Sequence, residues 1–489
     1  MSSPQSPQPW QLDREHSVPI HRQIEQQLRH KISSGEWPVG TRLPSQRKLA
    51  EQFGVNRSTV TQALEELASY GIVAGNKGGG THVVNSTWNM LAANAIDWSS
   101  YVEAGAHQPN LPAIRQINEA EYQTDMIRTG TGEPGPELLP MTAIKQILNH
   151  ADEQLFLGYE EPRGSLALRQ QIAIHAADMG IACSPESVLI VSGALQALQL
   201  IAVGLLARPS SIVAEAPSYI QSVRVFQSAG IRVHGIEMDD QGIQLTSLQQ
   251  QITQHQPGLL YTIPTFHNPT GIVMSPARRS ELLELCRNQS LPLIEDDVYR
   301  ELWLDELSPP PLKAKDTDGN ILYLGSLSKM MTPGIRVGWI IAPEPVIQRL
   351  ADIKMQTDYG SSGLSQYVAT RWFADGYHQQ HCEWLRAELR VRRTRLLSLL
   401  ERYFGDLAQW SVPSGGFYIW LELPTHISVH RLFHLLLKEG ILINPGYIYD
   451  RQSAHHIRLS YAYATMEQLD YSLNRLRRLV DQLLRVNES

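Results

Sequence analysis

The stretch "GSLSKMMTPGIRVGW", residues 325–339, places three chemically distinct side chains at the end of a strand-like run. The apolar segment "NILYLG" predicts the strand, and Ser326, Lys329 and Arg336 lie at or beyond its end. A hydroxyl and a guanidinium are suited to binding a phosphate, whereas an amine is suited to attacking a carbonyl. The stretch therefore predicts a strand-end site in which a phosphate and a reactive lysine lie together.

Strand-like and helical runs alternate on both sides of this stretch. The strand-like runs include "SVLIVSG", "SSIVAEAP", "GLLYTIPTF" and "LPLIEDDVY". Such alternation predicts an α/β module around a mostly parallel sheet. Ligands of such sheets bind at the carboxyl ends of the strands, and the polar motifs of this chain cluster at those ends. We therefore expect the site at that edge of the sheet.

Four further motifs could contribute to the site, and each also has a purely structural interpretation. The turn "SGALQAL" could hold a phosphate on a helix N-terminus, although many strand-to-helix turns look alike. Asn268 in "HNPTG" could donate to a ligand oxygen or simply form a turn. Asp296, at the end of an apolar strand, could meet a ligand cation or pair with a helix. Arg458 in "HHIRLSYA" could clamp a carboxylate or form a surface salt bridge.

Length and composition suggest a soluble protein of several domains. The chain has 489 residues, of which 42% are hydrophobic and 19% charged, so two or three domains are expected. No apolar run reaches membrane-spanning length, and the polar, proline-rich start predicts a disordered lead-in over residues 1–17. Three cysteines without metal or disulfide spacing fit a reducing compartment, so we expect a cytoplasmic protein.

The charge distribution distinguishes the N-terminal part from the rest. The whole chain has 42 Lys and Arg against 49 Asp and Glu, whereas residues 1–84 hold nine basic and seven acidic residues. The net charge is therefore +2 in this part and −9 in the remainder, which biases the N-terminal part towards phosphate partners. The bias is mild and does not identify a DNA-binding protein by itself.

The N-terminal part predicts three helices and a hairpin. Apolar residues recur every four positions from Ile20 to Ile32, which predicts the first helix. Two shorter helices follow, with Ser45 and Asn56 as their N-caps and glycines at their ends. The segment "IVAGNKGGGTHVV" then reads as a strand, a glycine-rich turn and a strand. This pattern indicates a winged helix-turn-helix whose third helix fits the major groove.

Basic and small polar side chains fall where such a module meets DNA. They are Arg42, Ser45, Arg47, Arg57, Ser58, Thr59 and the turn at Gly79. A protein-interaction module with solvated basic residues is the alternative, and "KGGG" is equally a plain hairpin turn or a minor-groove wing tip. Residues 18–84 resemble the winged helix-turn-helix of GntR-type bacterial regulators nearly end to end. The resemblance implies dimeric binding to operator DNA.

The remainder of the chain also resembles a known family. Residues 85–122 lack a clean period and are interpreted as a linker, with local helix at residues 88–95. Over residues 123–489, the order and spacing of Asn268, Asp296, Lys329, Arg336 and Arg458 resemble the fold-type-I aminotransferase pattern. The resemblance implies a large α/β sheet domain and a smaller C-terminal α+β domain.

The aminotransferase resemblance implies pyridoxal 5′-phosphate as cofactor and assigns roles to individual residues. Lys329 would form the internal aldimine and Asp296 would keep the ring nitrogen protonated; the family's aspartate-to-tyrosine spacing selects Asp296 over Asp297. The other implied contacts are Asn268 and Tyr299 at the 3′-oxygen, Tyr219 stacked on the ring, Ser326, Arg336 and the backbone of Gly193, Ala194 and Leu195 at the phosphate, Tyr159 at the partner subunit's phosphate, and Arg458 at an amino acid's carboxylate. Many relatives have a polar side chain where this chain has Ala194 and Leu195, so only backbone groups serve there.

Both modules in this order resemble the MocR (GabR-type) regulators. The resemblance implies a transcription factor that senses an amino compound, or pyridoxal 5′-phosphate itself, through aldimine chemistry at Lys329. It also implies a homodimer with a head-to-tail, domain-swapped arrangement, located on the nucleoid when it is bound to DNA. Two alternatives stay open: a working aminotransferase with a fused DNA-binding domain, and a vestigial aminotransferase fold that only dimerises.

Overall fold

The computed structural model describes residues 12–14, 18–76, 80–85, 110–151, 155 and 158–487. The chain divides into two compact units, Met1–Gly105 and Ala106–Ser489, which are described in turn. Within the described ranges, no helix is both long enough and apolar enough to cross a membrane.

The first unit contains the three predicted helices and the predicted hairpin. They are α1 (Ile20–Ser33), α2 (Gln46–Phe53), α3 (Arg57–Ser69), β1 (Val73–Asn76) and β2 (Gly80–Val83), with the two strands antiparallel. The apolar stripe of α1 packs with the buried faces of α2 and α3 and with both strands in one core. Burial of this shared core is what stabilises three helices of eight to fourteen residues, which would be marginal in isolation.

The ends of α2 follow the predicted capping. The Ser45 hydroxyl accepts a hydrogen bond from the backbone N–H of Lys48 at 3.3 Å, and Gly54 ends the helix with a φ of 63°. Part of the predicted lead-in also touches this unit: Leu12 packs against its core, and Arg14 Nη2 donates to the carbonyl oxygen of Gly54 at 3.0 Å. The Arg14 hydrogen bond satisfies a carbonyl group at the C-terminal end of α2.

The end of the predicted linker belongs to the second unit. Helix α4 (Pro112–Glu121) lies there, and its Ile117 and Ala120 are buried in the core of the C-terminal small domain. Pro112 at the first helical position and two buried side chains three residues apart form one short apolar face. The helix predicted at residues 88–95 lies outside the described residues.

The large domain is built on an eight-stranded mixed sheet. Its strands are β4 (Val188–Val191), β5 (Ser211–Ala216), β6 (Arg232–Asp239), β7 (Gly242–Ile243), β8 (Leu260–Thr262), β9 (Leu293–Asp296), β10 (Ile321–Ser326) and β11 (Gly338–Ile341). Their order across the sheet is β4-β11-β10-β9-β8-β5-β6-β7, and only β11 and β7 run antiparallel to their neighbours. β4, β9 and β10 are buried at every position, as the continuous apolar runs predict for a sheet covered on both faces.

Helices cover this sheet on both faces. They are α5 (Met141–Asn149), α6 (Leu166–Asp178), α7 (Ala194–Gly204), α8 (Tyr219–Val223), α9 (Val225–Ser228), α10 (Leu245–His255), α11 (Pro276–Asn288), α12 (Glu344–Met355) and α13 (Gly363–Ala374). The predicted α/β architecture is therefore confirmed, and it brings the carboxyl ends of six parallel strands to one edge.

The small domain is a four-stranded antiparallel sheet with helices against it. Its order is β12 (Gln409–Trp410), β13 (Tyr418–Glu422), β16 (His456–Ser460) and β15 (Asn444–Pro445). A separate parallel pair joins β3 (Ile127–Arg128) to β14 (Ile441–Leu442). The helices are α14 (Tyr377–Phe404), α15 (Val429–Lys438) and α16 (Met466–Asn487). Through this pair, the segment that precedes the large domain in the sequence is hydrogen-bonded to the small domain.

Candidate functional site

The sheet register brings four of the predicted site segments to one edge. Gly338 pairs with Val191 on one side and with Ser326 on the other, and Leu324 pairs with Asp296. The turn after β4, the loop before β11, the end of β10 and the end of β9 are therefore neighbours. Segments far apart in the sequence meet here because their strands are adjacent in the sheet.

The turn after β4 and the loop before β11 together form a cup that suits an anion. Gly193 has a φ of 85° and precedes α7, and Arg336 has a φ of 53° just before β11. Arg336 Nη2 donates to the carbonyl oxygen of Ser192 at 2.7 Å, and a Cβ on Gly193 would lie only 2.9 Å from that nitrogen. A side chain at this position would push against the guanidinium, which explains the glycine.

The helix N-terminus supplies the backbone donors of this cup. The N–H of Gly193 donates to the carbonyl oxygen of Val191 at 2.9 Å, so it is already engaged. Ala194 and Leu195 are the first residues of α7, where backbone N–H groups have no partner within the helix and the helix dipole favours negative charge. Gly193 was predicted to contact the phosphate through its backbone, but its N–H is already used. Its contribution is therefore the turn that it forms, and the N–H groups of Ala194 and Leu195 are the available donors.

Two serines line the cup beside Arg336. The Ser326 hydroxyl donates to the Ser328 hydroxyl at 3.0 Å and accepts the Ser328 backbone N–H at 3.2 Å. Sequence reasoning named only Ser326. The pattern "SLS" could have indicated Ser328 as well. In an extended segment the residues on either side of the buried Leu327 point to the same side, so Ser328 could be expected beside Ser326.

Asp296 has a buried carboxylate with only one of its two oxygens hydrogen-bonded within the described part of the chain. Its Oδ2 accepts a hydrogen bond from the Tyr261 hydroxyl at 2.7 Å, whereas its Oδ1 has no hydrogen-bond partner among the described residues. Burial raises the pKa of Asp296 from 3.8 to about 6, and the Tyr261 hydrogen bond opposes that shift. A cationic N–H directed at Oδ1 would satisfy this oxygen and stabilise the carboxylate. Tyr261 was missed because a tyrosine in a buried strand reads as core.

This burial predicts that replacing Asp296 with asparagine stabilises the cofactor-free chain at high pH. The folded carboxyl binds a proton up to about pH 6, whereas the unfolded one releases it near 3.8, so its contribution to stability is lost as pH rises through this window. We expect Asp296→Asn to raise the free energy of unfolding by ~1–3 kcal/mol at pH 8. At pH 4 the gain should vanish.

Urea unfolding of the cofactor-stripped full chain at pH 4 and pH 8 measures this effect. Asp296→Asn is compared with wild type at each pH. Effects of the substitution that do not depend on pH then cancel when the two differences in unfolding free energy are compared. An equal effect at both pH values would show that the ionised carboxylate is not the destabilising group.

Lys329 lies among backbone and aromatic groups beyond this edge. Its Nζ donates to the carbonyl oxygen of Gly132 at 2.5 Å and lies 5.5 Å from the centre of the Tyr299 ring. The Tyr299 hydroxyl is hydrogen-bonded to the Tyr418 hydroxyl at 2.7 Å. A Cβ on Gly132 would collide with the Tyr418 hydroxyl, so this glycine allows the small-domain tyrosine to approach. No role in the site was predicted for Gly132 or Tyr418 from the sequence.

Arg458 is buried and bridges two segments of the site. Its Nη1 donates to Asn268 Oδ1 at 2.8 Å and its Nη2 donates to the carbonyl oxygen of Gly130 at 2.6 Å. Its guanidinium carbon lies 4.2 Å from the centre of the Tyr418 ring and 5.0 Å from that of Tyr449. Nε of this arginine has no hydrogen-bond partner in the described part of the chain. Its two hydrogen-bond partners in the described part of the chain are neutral amide oxygens, so a carboxylate ligand would supply a pairing charge.

Asn268 and Tyr219 are joined to this arginine. The backbone N–H of Tyr219 donates to the carbonyl oxygen of Asn268 at 3.1 Å, which fixes both residues at the large-domain edge. Burial raises the pKa of the Tyr219 phenol to about 12, so this ring is neutral at physiological pH. Of the two residues predicted at the 3′-oxygen, Asn268 contacts Arg458, and Tyr299 contacts Tyr418, whose ring lies against the same guanidinium.

Tyr159 stands apart from the other predicted residues. Its side chain is 82% exposed, and its ring lies 5.1 Å from the ring of Tyr359, which is also exposed. Exposed aromatic pairs of this kind are typical of surfaces that another chain covers. Nothing within the described part of the single chain brings Tyr159 into the site.

The predicted DNA-facing residues form an exposed surface on the first unit. Arg42, Ser45, Arg47, Arg57 and Ser58 are exposed and Thr59 is half-buried. Arg57 Nε donates to Gln46 Oε1 at 3.2 Å, which joins the first turn of α3 to that of α2. Gly79 lies outside the described residues.

The residues of the large-domain edge fit pyridoxal 5′-phosphate group by group. The cup of helix N-terminus, serines and Arg336 matches a phosphate, the unpartnered Asp296 Oδ1 matches a protonated ring nitrogen, and the Lys329 amine matches an aldehyde.

Both units match established families. Residues 20–83 match bacterial regulatory proteins of the gntR family, and residues 124–476 match aminotransferase class I and II. The chain is 53% identical over 463 residues to the uncharacterised HTH-type transcriptional regulator YisV of Bacillus subtilis (strain 168), covering 94% of this chain and 96% of that one. It is 34% identical over 439 residues to the HTH-type transcriptional regulator NorG of Staphylococcus aureus (strain N315), covering 89% and 98%.

Among solved structures, the second unit is similar to LysN, the α-aminoadipate aminotransferase of Thermus thermophilus. The TM-score is 0.71 and the sequence identity is 30%, over 80% of this chain and 100% of that one. That structure is complexed with N-(5′-phosphopyridoxyl)-L-leucine.

Proposed function

The chain belongs to the GntR-family transcriptional regulators that carry an aminotransferase class I and II domain, the arrangement of MocR-type regulators, and we propose that it adjusts its DNA binding to an amino compound bound through pyridoxal 5′-phosphate. The observation that carries the proposal is the buried Oδ1 of Asp296, which has no hydrogen-bond partner among the described residues and lies at the same sheet edge as Lys329 and the anion cup. A buried carboxylate oxygen without a partner is costly unless a ligand cation meets it.

The cofactor, when bound, supplies an aldehyde that amines attack reversibly. Arg336, Ser326 and the N–H groups of Ala194 and Leu195 would hold its phosphate, and Asp296 would hold the proton on its ring nitrogen. We propose that the Lys329 amine would hold the cofactor's aldehyde carbon in the resting state, and that an effector amine would take its place and leave Lys329 as a free amine.

We propose that Arg458 couples effector binding to the conformation of the second unit. It lies on β16 of the small domain and donates to Asn268 of the large domain. A carboxylate on Arg458 would replace its contacts to Asn268 Oδ1 or the Gly130 carbonyl, which changes the link between the two domains. DNA affinity then shifts if the effector binds the DNA-competent and incompetent conformations with different affinity.

We further propose a homodimer with a head-to-tail arrangement. The phosphate cup is open on one side, since Arg336 is exposed within a single chain, and the exposed Tyr159 and Tyr359 pair offers aromatic groups for a partner. Two DNA-binding units would then contact paired half-sites of operator DNA.

A screen of amino compounds against the cofactor-loaded chain tests the proposal. The absorbance of the bound cofactor reports effector binding, and anisotropy of a selected DNA fragment at stated salt reports DNA affinity. The proposal expects at least one compound that changes both signals. A response to pyridoxal 5′-phosphate alone would favour a cofactor sensor, and multiple-turnover production of a keto acid would favour a working aminotransferase.

Arg57→Ala is expected to weaken DNA binding about tenfold or more. Arg57 opens α3 and is exposed, so its guanidinium is placed for a phosphate or a base edge. If it contacts a phosphate, the slope of log K against log salt should fall by about one. Arg232→Ala, which removes an exposed arginine from the second unit, is the control and should bind DNA as wild type does. Unchanged affinity in Arg57→Ala would exclude Arg57 from the DNA interface.

A further inference from the structure

The second unit contains a fully buried lysine that the proposed function does not use. Lys354, at the end of α12, is 0% exposed, and its Nζ donates to the carbonyl oxygen of Pro162 at 3.2 Å. Burial lowers the pKa of this amine, and the nearby Asp358 carboxylate opposes that shift. The backbone N–H of Asp358 donates to the carbonyl oxygen of Lys354 at 2.7 Å, which holds Asp358 beside the end of α12.

Asp358 is the start of a hydrogen-bonded chain that ends at the anion cup. Its Oδ1 accepts the backbone N–H of Gly360 at 3.2 Å, and its Oδ2 accepts Gln196 Nε2 at 3.1 Å. The other end of the Gln196 amide, Oε1, accepts the backbone N–H of Ser192 at 2.7 Å. The side chains of Asp358 and Gln196 therefore link residues 162 positions apart.

The backbone of one cup residue, Ser192, is held at its N–H by this network and at its carbonyl oxygen by Arg336. Gln196 accepts the N–H of Ser192, and Arg336 Nη2 donates to the carbonyl oxygen of the same residue at 2.7 Å. The next residue is Gly193, whose φ of 85° directs the chain into α7. Fixing the Ser192 backbone therefore fixes where the N–H groups of Ala194 and Leu195 point.

We propose that Gln196 and Asp358, supported by Lys354, are positioning residues for the cofactor phosphate. The inference rests on the proposed function, because it concerns the phosphate of pyridoxal 5′-phosphate. Ala194 and Leu195 offer no side-chain donor, so this turn of the cup contributes only backbone donors, whose direction must be set by neighbouring groups. The Asp358–Gln196 chain sets that direction from the large-domain side.

The test compares two ligands that differ only in the phosphate. Gln196→Ala removes the contact to the Ser192 N–H, and we expect its affinity for pyridoxal 5′-phosphate to fall about tenfold. Its affinity for pyridoxal, which lacks the phosphate, should match that of wild type. Gln199→Ala, which removes an exposed glutamine from the same helix, is the matched control and should bind both ligands as wild type does.

Asp358→Asn is the second variant and keeps the size of the side chain. It exchanges one carboxylate oxygen for an amide, so Gln196 loses part of its support and the same ligand-selective loss should appear in weaker form. Equal losses for both ligands in the two variants, or no loss in either, would overturn the positioning role. A wild-type chain that fails to bind pyridoxal 5′-phosphate would overturn the proposed function and the positioning role together. Wild-type binding with unchanged variants would overturn the positioning role alone.

Discussion

Lys329→Ala should abolish covalent attachment of pyridoxal 5′-phosphate and, with it, the response of DNA binding to amino compounds. Lys329 is the lysine placed beside Gly132, Tyr299 and the sheet edge that holds Asp296. Alanine removes the nucleophilic amine but leaves the phosphate cup and Asp296 Oδ1 intact. The variant should therefore still bind the cofactor, without a covalent bond and more weakly.

Borohydride reduction followed by mass spectrometry measures this attachment. The wild-type chain should gain one phosphopyridoxyl group per chain on the peptide that contains Lys329, and Lys329→Ala should gain none. Lys145→Ala removes an exposed lysine of α5 and should be modified as wild type is. A full yield of adduct on Lys329→Ala would assign the attachment to another amine and refute the central role of this lysine.

Arg458→Lys should remove most of the response to carboxylated amino compounds while the cofactor stays bound. The guanidinium of Arg458 is buried among Tyr418, Tyr449 and Asn268, and its planar fork suits a carboxylate. Lysine keeps the positive charge but provides a single donor atom, so we expect an effector concentration roughly tenfold to a hundredfold higher for half-maximal response.

A pair of ligands separates this role from a general loss of structure. The response to an amino acid should weaken in Arg458→Lys, whereas the response to the corresponding amine without the carboxylate should stay as in wild type. Arg451→Lys changes an exposed arginine of the small domain and serves as the control. If Arg458→Lys responds to the amino acid as wild type does, Arg458 does not bind the effector's carboxylate.

Much of the fold could be predicted because local signals agreed with the final packing. Ser45 and Gly54 mark the ends of α2, and the buried apolar runs of β9 and β10 mark central strands. The strand-end placement of Asp296, Ser326 and Arg336 followed from the rule that ligands of parallel sheets bind at that edge. The structure places Asp296 and Ser326 at the ends of neighbouring strands and Arg336 in the loop just before the next strand, β11.

The parts that sequence reasoning missed depend on contacts between distant segments. Tyr261 reaches Asp296 across adjacent strands, and Tyr418 reaches Tyr299 from another domain, so no local spacing links them. Gln196 and Asp358 meet because α7 and the end of α12 are packed together. Each of these residues, taken alone, has the ordinary pattern of a core or surface side chain. Helix α4 was hidden for a similar reason, since its short apolar face is informative only beside the small-domain core that covers it.

The last experiment measures the operator affinity of the cofactor-loaded chain by anisotropy at constant salt, with and without the amino compound that changes the cofactor absorbance. We expect at least a roughly fivefold change in affinity for wild type, the lower range of ordinary allosteric coupling, and none for Lys329→Ala. Equal responses of wild type and Lys329→Ala, or no response of wild type at a saturating concentration of the compound, would show that DNA binding is not controlled through this lysine.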